Sequence, residues 1–165
     1  MKEKFNTKEN NSIPNQVLKV KENIYNDNEL ATTEVYIFIR GVCDSLSENK
    51  NGRYYVILKC KGREKEISKS SNHTTASRMI LEGAIEATKN LKWPCRIKFF
   101  SHTTVGIERF NKSQKGVNSD LLRELFDLII EGNHSFEYIS SMYMQEELKE
   151  RLCFNTVLKH NNEEK

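Results

Sequence analysis

Two stretches of the chain carry side chains suited to holding an anion. Arg40 lies toward the end of the most apolar strand-like segment, Val35 to Cys43. Its guanidinium offers a planar fork that matches phosphate or carboxylate oxygens. Further along, four polar residues stand where a helical pattern begins: Thr74, Thr75, Ser77 and Arg78. The free amides and positive dipole end of a helix can receive phosphate. Threonines are also ordinary helix caps, so phosphate contact and simple capping both stay open here.

Basic side chains also concentrate on a predicted hairpin. They are Lys59, Lys61, Arg63, Lys65 and Lys69, diluted by Glu64 and Glu66. One interpretation is contact with the phosphates of a nucleic acid. The other, which the pattern favours, is a solvated strand edge that lysines protect from aggregation.

The cysteines indicate thiols rather than a metal site. They lie at positions 43, 60, 95 and 153, form no CxxC pair, and none is near a histidine at zinc-ligand spacing. We therefore predict no structural zinc site, and nothing else in the sequence indicates a cofactor or a resident metal. Because Cys43, Cys60 and Cys95 fall within or beside apolar strand segments, they are expected to be reduced and the protein intracellular.

Hydrophobic periodicity and turn residues predict the elements that position these side chains. Three strands are predicted first, over 34–43, 53–61 and about 64–70. A helix over about 75–91, a strand over 95–101 and a short helix over 103–111 follow. The chain then continues with a helix that Asn118-Ser119-Asp120 caps and Gly132-Asn133 ends, a strand over 136–139 and a helix over roughly 144–158. Three antiparallel strands followed by α/β alternation predict a mixed sheet with helices on its faces.

Length and composition predict one folded domain between two tails. The chain has 165 residues, a net charge of +3 and 37% hydrophobic residues, which suits one soluble domain. Residues 1–33 are rich in Lys, Glu and Asn, which predicts a flexible arm; residues 34–158 form the domain, and 159–165 a disordered tail. There is no signal-peptide pattern and no apolar run near the ~20 residues of a membrane helix. We therefore expect a cytoplasmic protein that does not contact membranes.

The order of elements and several local strings resemble the type 1 ribonuclease H family. The strand Val35 to Cys43 is similar to the family's first strand, and Asn51 to Ile67 to its next hairpin. Thr74 to Leu81 (TTASRMIL) stands beside the family's Thr-Thr-Asn-Asn-Arg-Met-Glu-Leu. Arg96 to Thr104 resembles the fourth strand, and Val117 to Leu122 the family's Asn-x-Asp-Leu helix start. This resemblance, over about 34–158, implies an α/β ribonuclease H-like fold with a five-stranded mixed sheet and helices on both faces.

The same resemblance implies that the chain lacks most of the family's metal ligands. In the family four carboxylates hold two Mg²⁺ or Mn²⁺ ions. Here the matching positions carry Arg40, Ile80 and His102, and Glu150 is at most a remnant of the fourth. Asp44 lies four residues past Arg40, and Glu82 and Glu86 point away from Ile80 by helical geometry. The sequence therefore predicts that the chain is not an enzyme but an inactive member of the family.

Arg40 and His102 should lie side by side if the fold is right. They would then bind a phosphate or carboxylate where the family holds metals, with Glu150 as a possible internal partner. The simpler interpretation is that basic or neutral residues replaced carboxylates that repel one another without metals. Simple replacement is favoured.

Two classes of function follow from these expectations. The first is a module that binds RNA or an RNA–DNA hybrid through its backbone, using the residues at 40, 74, 75, 77, 78 and 102 with those at 59, 61 and 63. The second is a protein-interaction or scaffold domain within a larger complex, using the arm or exposed residues such as Met142, Tyr143 and Met144. A metal-dependent ribonuclease acting on RNA–DNA hybrids with relocated ligands is the remaining alternative.

Overall fold

A computed structural model describes residues 33–44, 46–109 and 116–153 of the chain. The elements are β1 (Glu34–Cys43), β2 (Gly52–Cys60), β3 (Arg63–Ser71), α1 (Ala76–Lys89), β4 (Arg96–Ser101), a 3₁₀ turn (Ile107–Arg109), α2 (Ser119–Glu131), β5 (Ser135–Ser140), a second 3₁₀ turn (Ser141–Tyr143) and α3, the helical residues 146–153. Apart from Thr33, the predicted arm and tail lie outside the described residues, so the domain boundaries stay predictions.

The five strands form one mixed sheet in the order β3-β2-β1-β4-β5. The pairs β1–β2 and β2–β3 are antiparallel, and β1–β4 and β4–β5 are parallel. Since β1 and β4 are parallel neighbours with Ile39 opposite Ser101, their carboxyl ends meet at one edge of the sheet. The predicted α/β architecture is confirmed.

Helices cover both faces of the sheet because the strand residues alternate between two cores. Ile37 and Ile39 of β1 are buried beneath α1 and α2 in the larger core. Phe38 faces the other side, where its ring stacks 4.7 Å from that of Phe100 and where Leu148 of α3 is also buried. This alternation is the period of two expected for a strand that is buried on both faces.

Glycine allows α1 to pack directly on the end of β1. A Cβ on Gly41 would stand 2.5 Å from the carbonyl oxygen of Ala76 and 2.8 Å from the amide nitrogen of Ile80. Gly52 at the start of β2 is similarly close to Thr74, with a Cβ distance of 2.4 Å to its Cγ2. The first turn of α1 is therefore held against the carboxyl end of β1.

Two local predictions differ from the structure. The short helix predicted over 103–111 is described only as the 3₁₀ turn Ile107–Arg109. Asn118 does occupy the N-cap position of α2, in a left-handed conformation with φ 65°, but its side chain makes no capping hydrogen bond. Instead its Oδ1 accepts a hydrogen bond from Arg78 at 3.2 Å, which local sequence could not reveal.

Within the part of the chain that the structure describes, no helix has the length and apolar character required to cross a membrane.

Candidate functional site

The candidate site lies where β1 and β4 end and α1 begins. We call it the β1 edge and define it by Arg40, His102 and the segment 74–78. By strand alternation Arg40 points to the same face as Phe38, toward α3. It is half-buried, and its Nε atom is shielded from solvent without a hydrogen-bond partner.

Thr74 and Thr75 play different parts at the start of α1. Thr75 is the N-cap, and its Oγ1 accepts a hydrogen bond from the amide of Arg78 at 3.2 Å. Thr74 is 5% exposed, and its Oγ1 is buried without a partner. Its carbonyl oxygen accepts a hydrogen bond from the Cys43 thiol at 3.3 Å, and burial raises the pKa of that thiol. Thr75 therefore caps the helix, while the hydroxyl of Thr74 has no hydrogen-bond partner.

Ser77 and Arg78, the other polar residues of segment 74–78, differ in how far other contacts already occupy them. Ser77 is half-buried in the first turn of α1, where backbone amides lack an intrahelical acceptor. The Arg78 guanidinium donates to both carboxylate oxygens of Asp120, at 3.2 and 2.9 Å, and this hydrogen bonding holds the pKa of Asp120 below its usual value. Arg78 thus ties α1 to α2, and the geometry favours this structural role over the predicted phosphate contact.

The basic hairpin residues stand apart from the β1 edge. Arg40 pairs with Tyr55 of β2, and Lys61 is six residues farther along, roughly 20 Å away at ~3.4 Å per residue. Lys61 and Arg63 are exposed at that opposite end. Lys59 forms an ion pair with Glu64 at 3.3 Å. The structure therefore does not bring the predicted hairpin contacts together with the predicted helix entrance.

The hairpin carboxylates hold α3 on the sheet. Arg151 donates hydrogen bonds to Glu64 and Glu66. The hydrogen bond from Arg151 holds the pKa of Glu64 below its ordinary value. These contacts make the hairpin a docking surface for α3 within the chain itself.

His102 and Glu150 are both exposed. His102 follows Ser101, whose hydroxyl donates to the Thr103 carbonyl at 2.5 Å and whose carbonyl accepts from Tyr138 at 2.9 Å. The bond from Tyr138 ties the end of β4 to β5, while the pairing of Ser101 with Ile39 holds it beside β1. Within the described residues no ion pair joins Glu150 to Arg40, so the proposed internal partner is absent from this geometry.

The exposed residues predicted for protein contact fall into two groups. Met142 and Tyr143 are 70% and 75% exposed. Met144 is only 8% exposed and belongs to the core under α3, so its predicted exposure is wrong; the turn reverses direction between these residues. A protein partner stays a prediction.

Sequence reasoning missed two residues of the β1 edge. Arg53 is 2% exposed and shares a face with Tyr55, two positions after it, so it adds a second buried guanidinium on the Arg40 side of the sheet. Asn51 has a buried Oδ1 without a partner. The period of two could have revealed Arg53, because an arginine in line with Tyr55 and Ile57 interrupts a buried face. The local sequence marks Asn51 only as a turn residue.

The β1 edge does not fit the two-metal centre of the family that the chain resembles. Within residues 33–44, 46–109 and 116–153, no group of three or more His, Cys, Asp and Glu side chains could hold a metal ion. Ile80 lies against Gly41 through its Cγ1, 2.8 Å from an ideal Cβ, and brings no donor. No reaction step is therefore assigned to a metal at these residues.

Comparison with known proteins gives the chain's family. It is 32% identical over 123 residues to a Ribonuclease H of Pelobacter propionicus, covering 66% of this chain and 74% of that protein. It is 34% identical over 121 residues to a Ribonuclease H of a Thermoanaerobacter species, covering 64% and 75%. The chain belongs to the ribonuclease H family. A Ribonuclease H of Caldanaerobacter subterraneus is 39% identical over 88 residues, but the match spans only 53% of each chain. No family model matches the sequence.

A solved structure supports the fold independently. The crystal structure of a type 1 RNase H with the type 2 active-site motif matches with a TM-score of 0.55 at 18% identity, covering 68% of this chain and 64% of that one. At this identity the likeness concerns the fold alone.

The relatives overturn one prediction about this ribonuclease H chain. The expectation that it is not an enzyme is wrong, because several similar proteins named Ribonuclease H point to an enzyme. That expectation rested only on the residue types at positions 40, 80 and 102. Positions matched by short strings do not establish that activity is lost.

Proposed function

We propose that this ribonuclease H domain binds the sugar–phosphate backbone of an RNA–DNA hybrid at the β1 edge. One observation carries the proposal: three buried polar atoms there, Arg40 Nε, Asn51 Oδ1 and Thr74 Oγ1, have no hydrogen-bond partner. Buried polar atoms are rarely left unpaired in native proteins, and each exception calls for an explanation such as a ligand, ion or water. Arg40 Nε and Thr74 Oγ1 can donate to phosphate oxygens, while Asn51 Oδ1 can accept from a ribose hydroxyl.

The charges around these atoms favour an anion. Arg40 and the buried Arg53 place two guanidinium groups on one side of β1. On the other side the first turn of α1 contains no acidic residue, so its dipole and free amides are not neutralised from within the helix. Backbone contacts of this kind position a duplex without reading its sequence.

Fluorescence anisotropy with a labelled RNA–DNA hybrid tests the proposal. We expect Arg40→Gln to weaken binding about tenfold, since charge-assisted hydrogen bonds contribute ~1.5–3 kcal/mol. The affinity of Arg40→Lys should lie between the affinities of wild type and Arg40→Gln. The matched control is Arg63→Gln, which removes the same charge at the opposite end of the sheet. Duplex DNA, which has no 2′-hydroxyl group to donate to Asn51 Oδ1, should bind more weakly than the hybrid.

Two outcomes would reject binding at the β1 edge. The first is the absence of binding to the hybrid even at low salt, where phosphate contacts are strongest. The second is an equal loss of affinity in Arg40→Gln and Arg63→Gln, which would indicate diffuse attraction. Circular dichroism of each variant separates lost binding from lost folding.

Hydrolysis of the RNA strand is the second candidate function, favoured by the names of the relatives. Gel analysis of the labelled hybrid with Mg²⁺, with Mn²⁺ and with EDTA measures it directly. Products that form only with Mg²⁺ or Mn²⁺, and fewer of them with Arg40→Gln in proportion to its lower affinity, would support hydrolysis. Intact binding without cleavage in either metal would reject hydrolysis and leave the binding proposal standing.

A further inference from the structure

We infer that a second site of this chain binds an aliphatic ammonium group. The site lies on the face of the sheet that α1 and α2 cover. A pocket of about 370 Å³ lies there between β2, β3, α1 and α2. Its lining consists of Tyr54, Lys69, Ser71, Glu82, Ile85, Glu86, Lys89, Leu121 and Glu124. We call it the amine pocket. It does not depend on the proposed function at the β1 edge.

Tyr54 supplies a buried polar side chain to the amine pocket. Tyr54 is 2% exposed, and its ring packs beneath α1, where a Cβ on Gly83 would stand 3.2 Å from Cγ. Among the described residues its hydroxyl has no hydrogen-bond partner, although buried tyrosine hydroxyls usually have one. Burial, followed by the charges of Glu86 and Glu82, raises the pKa of Tyr54 to about 12. A neutral hydroxyl therefore faces two carboxylates.

The carboxylates of the amine pocket exceed its cations. Glu124 is neutralised by Lys89 at 3.1 Å. Glu82 accepts only a long hydrogen bond, 3.4 Å from the Ser71 hydroxyl. The carboxylate of Glu86 has no ion-pair partner in the described part of the chain. Lys69 is the second cation of the lining, and the charge of Arg78, whose guanidinium is hydrogen-bonded to Asp120, also acts on Glu82. Because Glu86 lacks such a partner among the described residues, the pocket attracts a further positive charge.

The oxygen acceptors and the apolar side chains of the amine pocket together favour an ammonium group on an alkyl chain. Such a group donates three hydrogen bonds, which the oxygens of Tyr54, Glu82 and Glu86 can accept. Ile85 and Leu121 are 4% and 9% exposed and form an apolar wall for methylene groups. A divalent metal ion needs more oxygen ligands, and the described residues offer no cluster of three acidic or histidine groups for one.

Amide chemical-shift titration of the full chain with putrescine tests the inference. We expect saturable shifts centred on Tyr54 and Glu86. Glu86→Gln should weaken binding about tenfold, because charge-assisted hydrogen bonds are the stronger class, and Tyr54→Phe should weaken it less. Glu137→Gln removes an exposed carboxylate on β5 and should leave binding unchanged. The dispersion of each variant's spectrum shows whether it is folded.

A parallel titration with Nα-acetyl-lysine amide distinguishes the source of the ammonium group. Tighter binding of putrescine identifies a free diamine, and tighter binding of the lysine derivative identifies a partner's side chain; either supports the amine pocket. The inference is overturned if neither probe saturates below about 10 mM, because a Kd weaker than this corresponds to non-specific contact. It is also overturned if Mg²⁺ at equal ionic strength or 1,4-butanediol reproduces the shifts, or if Glu86→Gln binds as well as wild type.

Discussion

Replacing Gly41 by alanine should strongly destabilise the fold. The new Cβ would stand 2.5 Å from the Ala76 carbonyl oxygen and 2.8 Å from the Ile80 amide nitrogen. Both are backbone atoms of α1 and cannot rotate away, so α1 must move off β1. Overpacking typically costs about 1–3 kcal/mol, and we expect about 3 kcal/mol here. In a chain of this size, each 1 kcal/mol lowers Tm by about 2–4 °C, which gives a fall of about 6–12 °C.

Urea unfolding followed by circular dichroism measures this free energy. Gly116→Ala is the matched control, because a Cβ on Gly116 meets nothing within 4 Å, and its stability should stay within about 0.5 kcal/mol of wild type. Since α1 supplies half of the β1 edge, Gly41→Ala should also weaken hybrid binding. A free energy of unfolding for Gly41→Ala within about 0.5 kcal/mol of wild type would refute direct packing of α1 on the end of β1.

Three further predictions concern stability. Phe126→Ala removes a side chain that is 0% exposed and lies edge-on to Phe136 at 5.4 Å; urea unfolding should show a loss of about 3–5 kcal/mol, and a loss below about 1 kcal/mol would contradict its place in the core. Thr75→Ala should cost about 1 kcal/mol by loss of the N-cap, whereas Thr75→Ser should cost little; equal losses would contradict the cap. Arg151→Ala should make the free energy of unfolding depend less on pH in the acid range. Arg151 holds the pKa of Glu64 below the ordinary 4.5, so its carboxylate stabilises the fold above pH 4.5 and this is lost as the pH falls through the lowered pKa. If the free energy of unfolding depends on pH in the same way in variant and wild type, the link between Glu64 protonation and stability is excluded.

The elements of the fold were predictable because their signals are local. The apolar run from Val35 to Ile39 gives β1, and the Thr-initiated helical pattern gives α1. Contacts between distant segments were not predictable. Arg78 meets Asp120 across 42 positions, and nothing near either residue indicates that pairing. The reversal that buries Met144 beside exposed Met142 and Tyr143 likewise depends on how α3 docks.

The candidate site was predicted in part. The proximity of Arg40 to the end of β4 and to the start of α1 followed from the family resemblance, since parallel neighbours end at the same edge. The buried Arg53 and the orphaned oxygen of Asn51 depend on tertiary packing around the loop before β2. The amine pocket combines four elements and leaves no motif in the sequence.

Mapping the hybrid on the protein tests the central claim most directly. Amide chemical shifts of the full chain should be recorded during titration with an unlabelled RNA–DNA hybrid at low salt, without divalent metal. We expect the largest changes at Arg40, Asn51 and Thr74, with little change at Lys61 and Arg63. Changes centred on the hairpin turn instead, or spread evenly over the surface, would contradict it.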